Sequence, residues 1–181
     1  KRGRNDLEFE LLDTGIFDNN EYFDVHTEYA KQNENDILIQ ISITNKSSKS
    51  APIHLLPTLW IRNYWSFKER PLKPIIQKQT KQKKDFVAIE HHHIGDHFLY
   101  FDKADKLLFT ENETNMERIF NQENDHIYKK DLFHSAVIQN DYDGATTRTH
   151  GTKFAPLYIL DIEAGATQTI KLRLTNTELK G

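Results

Sequence analysis

DILIQISITN, residues 36–45, sets Ile37, Ile39, Ile41 and Ile43 on one side of an extended chain and Leu38, Gln40, Ser42 and Thr44 on the other. A period of two in a segment rich in β-branched residues is the pattern of a half-buried strand. The stretches around it repeat the signal. EYFDVHTEYA, 21–30, alternates Tyr22, Asp24, His26 and Glu28 against Phe23, Val25, Thr27 and Tyr29. After 36–45, the polar cluster KSSKSAP, 46–52, leads into IHLLPTLWI, which predicts a hairpin with a long loop. Pro57 marks a bulge or an edge in the returning strand, because proline cannot donate to a ladder.

Further along, KQTKQKK, 78–84, reads as an exposed loop or hairpin, and FVAIEHHH and HFLYFD as two strands around Ile94-Gly95-Asp96. FAPLYILDIE and TQTIKLRLT flank Ala164-Gly165-Ala166 and predict a second hairpin. Helical signals are few. ENETNMERIFNQ, 111–122, has Asn112 or Thr114 as a cap and Met116, Ile119 and Phe120 at helical spacing. LFHSAVI, within 121–151, reads as strand. The expectation is an all-β fold: one antiparallel β-sandwich domain over 1–181 with one or two short helices.

Composition narrows the function. The chain has 181 residues and a net charge of −3, which gives no electrostatic footprint for nucleic acid. It contains no cysteine, so neither disulfides nor thiolate chemistry apply. No apolar run approaches about 20 residues, so no membrane span is expected, and no signal peptide is visible. The expected location is cytoplasmic. The start KRGRNDLEF, without methionine, suggests a piece of something longer.

Three features carry candidate chemistry. EHHHIGDH, 90–97, holds four histidines and two acids. Along a strand His91 and His93 share a face and His92 opposes them, and no cysteine completes a tetrahedral set, so no metal is expected at His91, His92, His93 or His97. No cofactor is implied either. Glu111, Glu113 and Glu117 cluster beside Asn112 and Asn115, with Glu113 and Glu117 four apart, on one face if a helix forms there. The third feature, HLLPTLWIRNYWSF, 54–67, contains both tryptophans of the chain. On a regular strand Trp60, Arg62 and Tyr64 share one face, and Ile61, Asn63 and Trp65 the other. The two indoles then make a flat sugar platform only if the strand bends. Otherwise one belongs to the core or a domain interface.

These blocks also carry a resemblance. FELLDTGIFDNNEYFDVHTEYAK, DILIQISITN, HLLPTLWIRNYWS, LLFTENETNMERIF and GTKFAPLYILDIEAGATQTIKLRL, in this order, resemble the N-terminal region of large bacterial glucosidases. These are similar to glycoside hydrolase family 63 and the mannosylglycerate-hydrolase-like group. The resemblance implies a β-supersandwich of the galactose-mutarotase type. It also implies a partner, an (α/α)6 catalytic domain in the same polypeptide, which would carry the carboxylates that hydrolyse α-glucosidic bonds of an oligosaccharide substrate. This chain would then be a non-catalytic domain that packs on the barrel and shapes the cleft. Trp60, Arg62, Asn63, Trp65, Glu111, Asn112, Glu113 and Asn115 are the candidates for that contact or for carbohydrate. The alternatives are a self-sufficient carbohydrate-binding module and a complete small enzyme.

Overall fold

The computed structural model describes residues 3–67 and 72–179. After a single 3-10 turn, Leu11–Thr14, the chain enters strand β1, Phe23–Asn33, and turns back into β2, Asp36–Asn45. The register Thr27 to Ile41 and Val25 to Ile43 joins them antiparallel. The expected face of β2 is the core face: Ile41 and Ile43 are buried. Its other neighbour is β11, Thr167–Thr175, with Ile170 opposite Ile41 and Leu172 opposite Ile39.

The remaining strands are β3, Ala51–Leu55; β4, Leu59–Trp60; β5, Ile75–Lys81; β6, Lys84–Glu90; β7, His97–Phe101; β8, Lys106–Thr110; β9, His150–Gly151; and β10, Lys153–Ile162. Three short α-helices follow β8: α1, Met116–Phe120; α2, Leu132–Gln139; and α3, Asp143–Thr146. The strands form two antiparallel sheets. One has the order β1-β2-β11-β7-β6-β5-β9. In the other, β10 pairs with β3 and β4 on one side and with β8 on the other. The expected β-sandwich with short helices is therefore the fold.

Two predicted hairpins are instead corners. β2 lies in the large sheet and β3 in the small one, and β10 and β11 are likewise divided. Asn45 explains both. Its backbone N–H donates to Ala166 O at 3.0 Å and its carbonyl accepts from Gly165 N at 3.0 Å. Its buried side chain donates to Lys49 O and Ile162 O, both at 2.7 Å, and accepts from Ser47 N at 2.9 Å. One asparagine thus fastens the two connections that cross between sheets. The hairpins that do form are β1–β2, β5–β6 through Gln82 and Lys83 at φ 50° and 63°, and β6–β7 through Gly95 at φ 75°. Pro57 breaks the strand facing β10 into β3 and β4, as its missing N–H requires.

The core between the sheets gathers Ile41, Ile43, Ile76, Val87, Leu99, Phe109, Phe154 and Leu172. A second cluster, Leu108, Ala155, Leu157, Phe133, Ala136 and Ala145, lies between the back of the small sheet and α2 and α3. LFHSAVI is therefore helix, not strand. Phe133 and Ala136 stand three apart, on one helical face, and close over Leu108 and Leu157. A short apolar run cannot be assigned by its period alone, and tertiary packing decided this one. Both faces of β10 are covered, which accounts for the unbroken burial of residues 154–158.

Replacing Asn45 with alanine takes the amide donor from the buried Ile162 carbonyl and leaves the Lys49 carbonyl with only the Ser47 hydroxyl. We expect a loss of about 1–3 kcal/mol in urea unfolding, with an unchanged far-ultraviolet spectrum. A midpoint equal to that of the parent chain would show that the corner is held elsewhere.

Candidate functional site

The Glu111–Asn115 turn leaves the end of β8 and runs inward, and its two glutamates are buried. Glu113 Oε1 accepts from Trp65 Nε1 at 2.8 Å and from Lys73 Nζ at 2.9 Å. Its Oε2 accepts from Lys129 Nζ and His126 Nε2, both at 3.0 Å. Glu111 binds the same Lys73 ammonium at 3.1 Å, Arg148 Nη2 at 2.9 Å and Thr152 Oγ1 at 2.8 Å. Because an ionised carboxylate only accepts, His126 must carry its proton on Nε2. Its Nδ1 is buried and meets no hydrogen-bond partner among the described residues.

Thr152 holds this arrangement to the sheets. Its N–H donates to Thr110 O at 3.0 Å and its carbonyl accepts from Ile61 N at 3.0 Å. Its hydroxyl accepts from Asn112 N at 2.7 Å while donating to Glu111. Asn112 Nδ2 closes the ring on Ile61 O at 2.9 Å. Gly151 lets the strands approach: a Cβ there would lie 2.3 Å from Thr110 O, closer than any real contact.

The electrostatics fix what the glutamates can do. Burial would raise the pKa of Glu113, but the bonds from Lys73, Trp65 and Lys129 outweigh it and bring the value from 4.5 down to about 2. For Glu111 burial acts in the same direction, and Thr152, Lys73 and Arg148 hold it below its ordinary value. Burial pulls the Lys129 pKa down, and its bonds to Asp125 and Glu113 raise it above the usual value. A general acid near neutral pH needs a raised carboxyl pKa, the opposite of what surrounds this pair. The glutamates are ionised, fully bonded anchors.

Glu113, Asp125 and His126 bring one ligand atom each within 4.8 Å of one another. The Lys129 ammonium bonds both Glu113 and Asp125, so a cation already stands among these acids. Together Lys73, Lys129 and Arg148 match the charges of Glu111, Glu113 and Asp125, which leaves no excess negative charge to attract a divalent ion.

Of the sequence candidates, Trp65, Glu111, Asn112 and Glu113 come together. Trp65 is 5% exposed and belongs to the core. Trp60 is 57% exposed on β4, opposite Lys153, and Arg62 is exposed beyond it. The two tryptophans therefore build no common platform. They are not related by strand alternation either, because the strand stops at Trp60 and Trp65 opens a 3-10 turn, Trp65–Phe67. Asn63 braces that turn, donating to Ser66 Oγ at 2.9 Å and accepting from Ser66 N at 3.2 Å. Asn115, rather than Asn112 or Thr114, caps α1 by accepting from Arg118 N at 3.0 Å. Glu113 precedes this helix, so it shares no helical face with Glu117. Lys73, His126, Lys129, Arg148 and Thr152 carried no local signal in the sequence.

His91, His92 and His93 follow the end of β6 and fall in the β6–β7 turn, so strand faces do not divide them as expected, while His97 opens β7. The His91 and His92 rings stack at 5.0 Å, with His93 4.1 Å from His92. Burial, then the neighbouring His92, His93 and His97, lowers the His91 pKa.

No protein-family profile matches the chain. It is similar to a protein of Saccharomyces cerevisiae (strain ATCC 204508 / S288c) described as Uncharacterized protein YMR196W, at 29% identity over 210 residues. The alignment covers 97% of this chain and 19% of the yeast protein. The chain thus spans about a fifth of the length of the relative it matches.

Two outcomes test the cluster. Glu113 binds its proton less readily folded than unfolded, so its contribution is present above pH 4.5 and is lost as pH falls through about 2. Glu113→Gln should flatten the acid side of the stability profile in that window, followed by thermal unfolding across pH. Lys129→Met should destabilise the chain by about 3–5 kcal/mol in urea, since it strips a buried carboxylate of one cation.

Proposed function

We propose that this chain is a non-catalytic β-sandwich domain of a glucosidase-like glycoside hydrolase. It packs on an (α/α)6 catalytic domain of the same polypeptide and shapes one wall of a cleft for α-linked oligosaccharides. The observation that carries the reading is the state of the acidic turn. Glu111 and Glu113, the carboxylates that cluster in the structure, are buried, ionised and used up by Lys73, Lys129, Arg148 and Thr152. They can shape a surface and cannot exchange protons with a substrate at neutral pH. The match to a fifth of a longer relative favours a domain within a larger protein. The glucosidase-like identity rests on the resemblance of the ordered sequence blocks, and the cytoplasmic location belongs to the same proposal. No helix among the described residues is long and apolar enough to cross a membrane.

The wall itself would be made by the residues the cluster holds in place. Trp60, Phe67, Leu72, Ile119, Phe120 and Ile127 are large, apolar and exposed, and all lie on the segments that meet at the acidic turn. Apolar side chains gathered on one set of loops, beside Arg62 and other polar groups, suit a domain interface.

In the full-length protein, Trp60→Ala combined with Arg62→Ala should lower α-glucosidase activity or weaken the packing of the domains. Both side chains are exposed, so this domain should keep its own unfolding midpoint. The isolated chain should release no glucose and should give no micromolar heat of binding with α-linked glucose oligosaccharides in titration calorimetry. Tight binding lost in Trp60→Ala would replace the proposal with the carbohydrate-binding module. Hydrolysis by the chain alone would overturn both.

A further inference from the structure

Among the described residues, each sheet edge but one is very short, interrupted by proline or covered by helices. In the large sheet β9, at one end, has two residues, too short to recruit another strand. In the small sheet the β3–β4 edge contains Pro52 and is broken at Pro57, and β8 is five residues long with α2 and α3 packed against it. These are the usual ways in which an edge avoids pairing. β1 is the exception. It has 11 residues, contains no proline, and pairs only with β2 among the described residues.

The free hydrogen-bonding groups of β1 can be assigned. Lys46 N–H donates to Tyr22 O at 2.9 Å, so Tyr22 and Lys46 form a hydrogen-bonded pair. The register runs without interruption from Phe23 to Lys31. Bonded and non-bonded pairs alternate along an antiparallel ladder. Asp24, His26, Glu28 and Ala30 therefore bond toward β2, while Phe23, Val25, Thr27, Tyr29 and Lys31 aim their N–H and C=O groups outward. The same odd-numbered residues share the core face with Ile39, Ile41 and Ile43, yet Val25 is 51% and Tyr29 72% exposed. The small sheet does not reach beneath them.

We propose that β1 is a homodimer interface, paired antiparallel with β1 of a second copy about a two-fold axis at Thr27. The sequence is complementary to itself in this register. Thr27 meets Thr27 in an outward hydrogen-bonded pair. Val25 meets Tyr29, an aliphatic–aromatic cross-strand pair that covers both exposed side chains. His26 meets Glu28, and Glu28 meets His26. Asp24, already bridged to Lys46 at 3.2 Å within its own chain, meets Ala30, and Lys31 meets Phe23. No two like charges face each other. A two-fold axis at His26 or Glu28 would set His26 against His26 or Glu28 against Glu28. The occupant fitted by this edge is thus another copy of the chain, in an isologous contact.

Sedimentation of the chain in a dilution series tests this, with far-ultraviolet circular dichroism as the control for folding. A concentration-dependent dimer is expected. Thr27→Pro removes an outward N–H and leaves the β1–β2 bonds intact, so it should give a monomer. His26→Glu sets carboxylates opposite each other twice per dimer and should weaken association roughly tenfold or more. Adding Glu28→Lys to it restores opposite charges in the same register and should recover the dimer. A chain that stays monomeric at every concentration overturns the proposal, as does a dimer indifferent to Thr27→Pro. A dimer that the second charge change fails to recover overturns the register and the proposal with it.

Discussion

Glu111 and Glu113 leave water together, and the Lys73 ammonium, 3.1 and 2.9 Å from their oxygens, is the cation they share. Taking carboxylates out of water costs several kcal/mol each unless cations and donors replace the solvent completely. Four segments at this end of the molecule are tied to that pair. Lys73 brings the approach to β5, Trp65 brings the 3-10 turn after β4, Lys129 and His126 bring the segment before α2, and Arg148 and Thr152 bring the chain on either side of β9. The apolar core sets the sandwich. The charge cluster decides how its irregular segments close over one end.

Much of the sandwich was legible because β2 obeys a local rule. Its alternation depends on its own residues, and the buried face turned out to be the one bearing Ile41 and Ile43. The connections were not legible in the same way. A turn of small polar residues between two strands looks alike whether the chain folds back in its own sheet or crosses to the other. The residue that distinguished them, Asn45, lies at the end of a strand and acts on backbone atoms 4 and 117 positions away. LFHSAVI illustrates the same limit. What made it a helix was the face of β8 and β10 that Phe133 and Ala136 had to cover.

The candidate site was half visible for a related reason. Trp65, Glu111, Asn112 and Glu113 stood out as aromatic and acidic clusters within short stretches. Their partners did not. Lys73 is 40 residues from Glu113, Arg148 37 from Glu111, and Thr152 41 from Glu111. A lysine or threonine has no spacing rule that announces a distant carboxylate. Trp60 and Trp65 were misleading in the other direction, since closeness in sequence suggested a common surface. One ended exposed, and the other became a donor buried against Glu113.

The charge cluster and the free β1 edge occupy opposite ends of the same sheet. β1 is the first strand in its order, whereas Lys73 precedes β5 and Thr152 follows β9, the last two. Seven strands leave six gaps of about 4.8 Å, so roughly 30 Å separates the two features across the sheet. Pairing through β1 would join two sheets edge to edge and carry both charge clusters to the outer ends of the assembly. Each copy would still present Trp60, Arg62 and the loops around Glu113 to a partner domain. The two proposed contacts are therefore compatible in geometry, and neither needs the surface of the other. The bonds that hold the cluster, to Trp65, Lys73, His126, Lys129, Arg148 and Thr152, involve no residue of the distant edge. A second copy at β1 should leave the acidic turn as it stands, with its ammonium still shared.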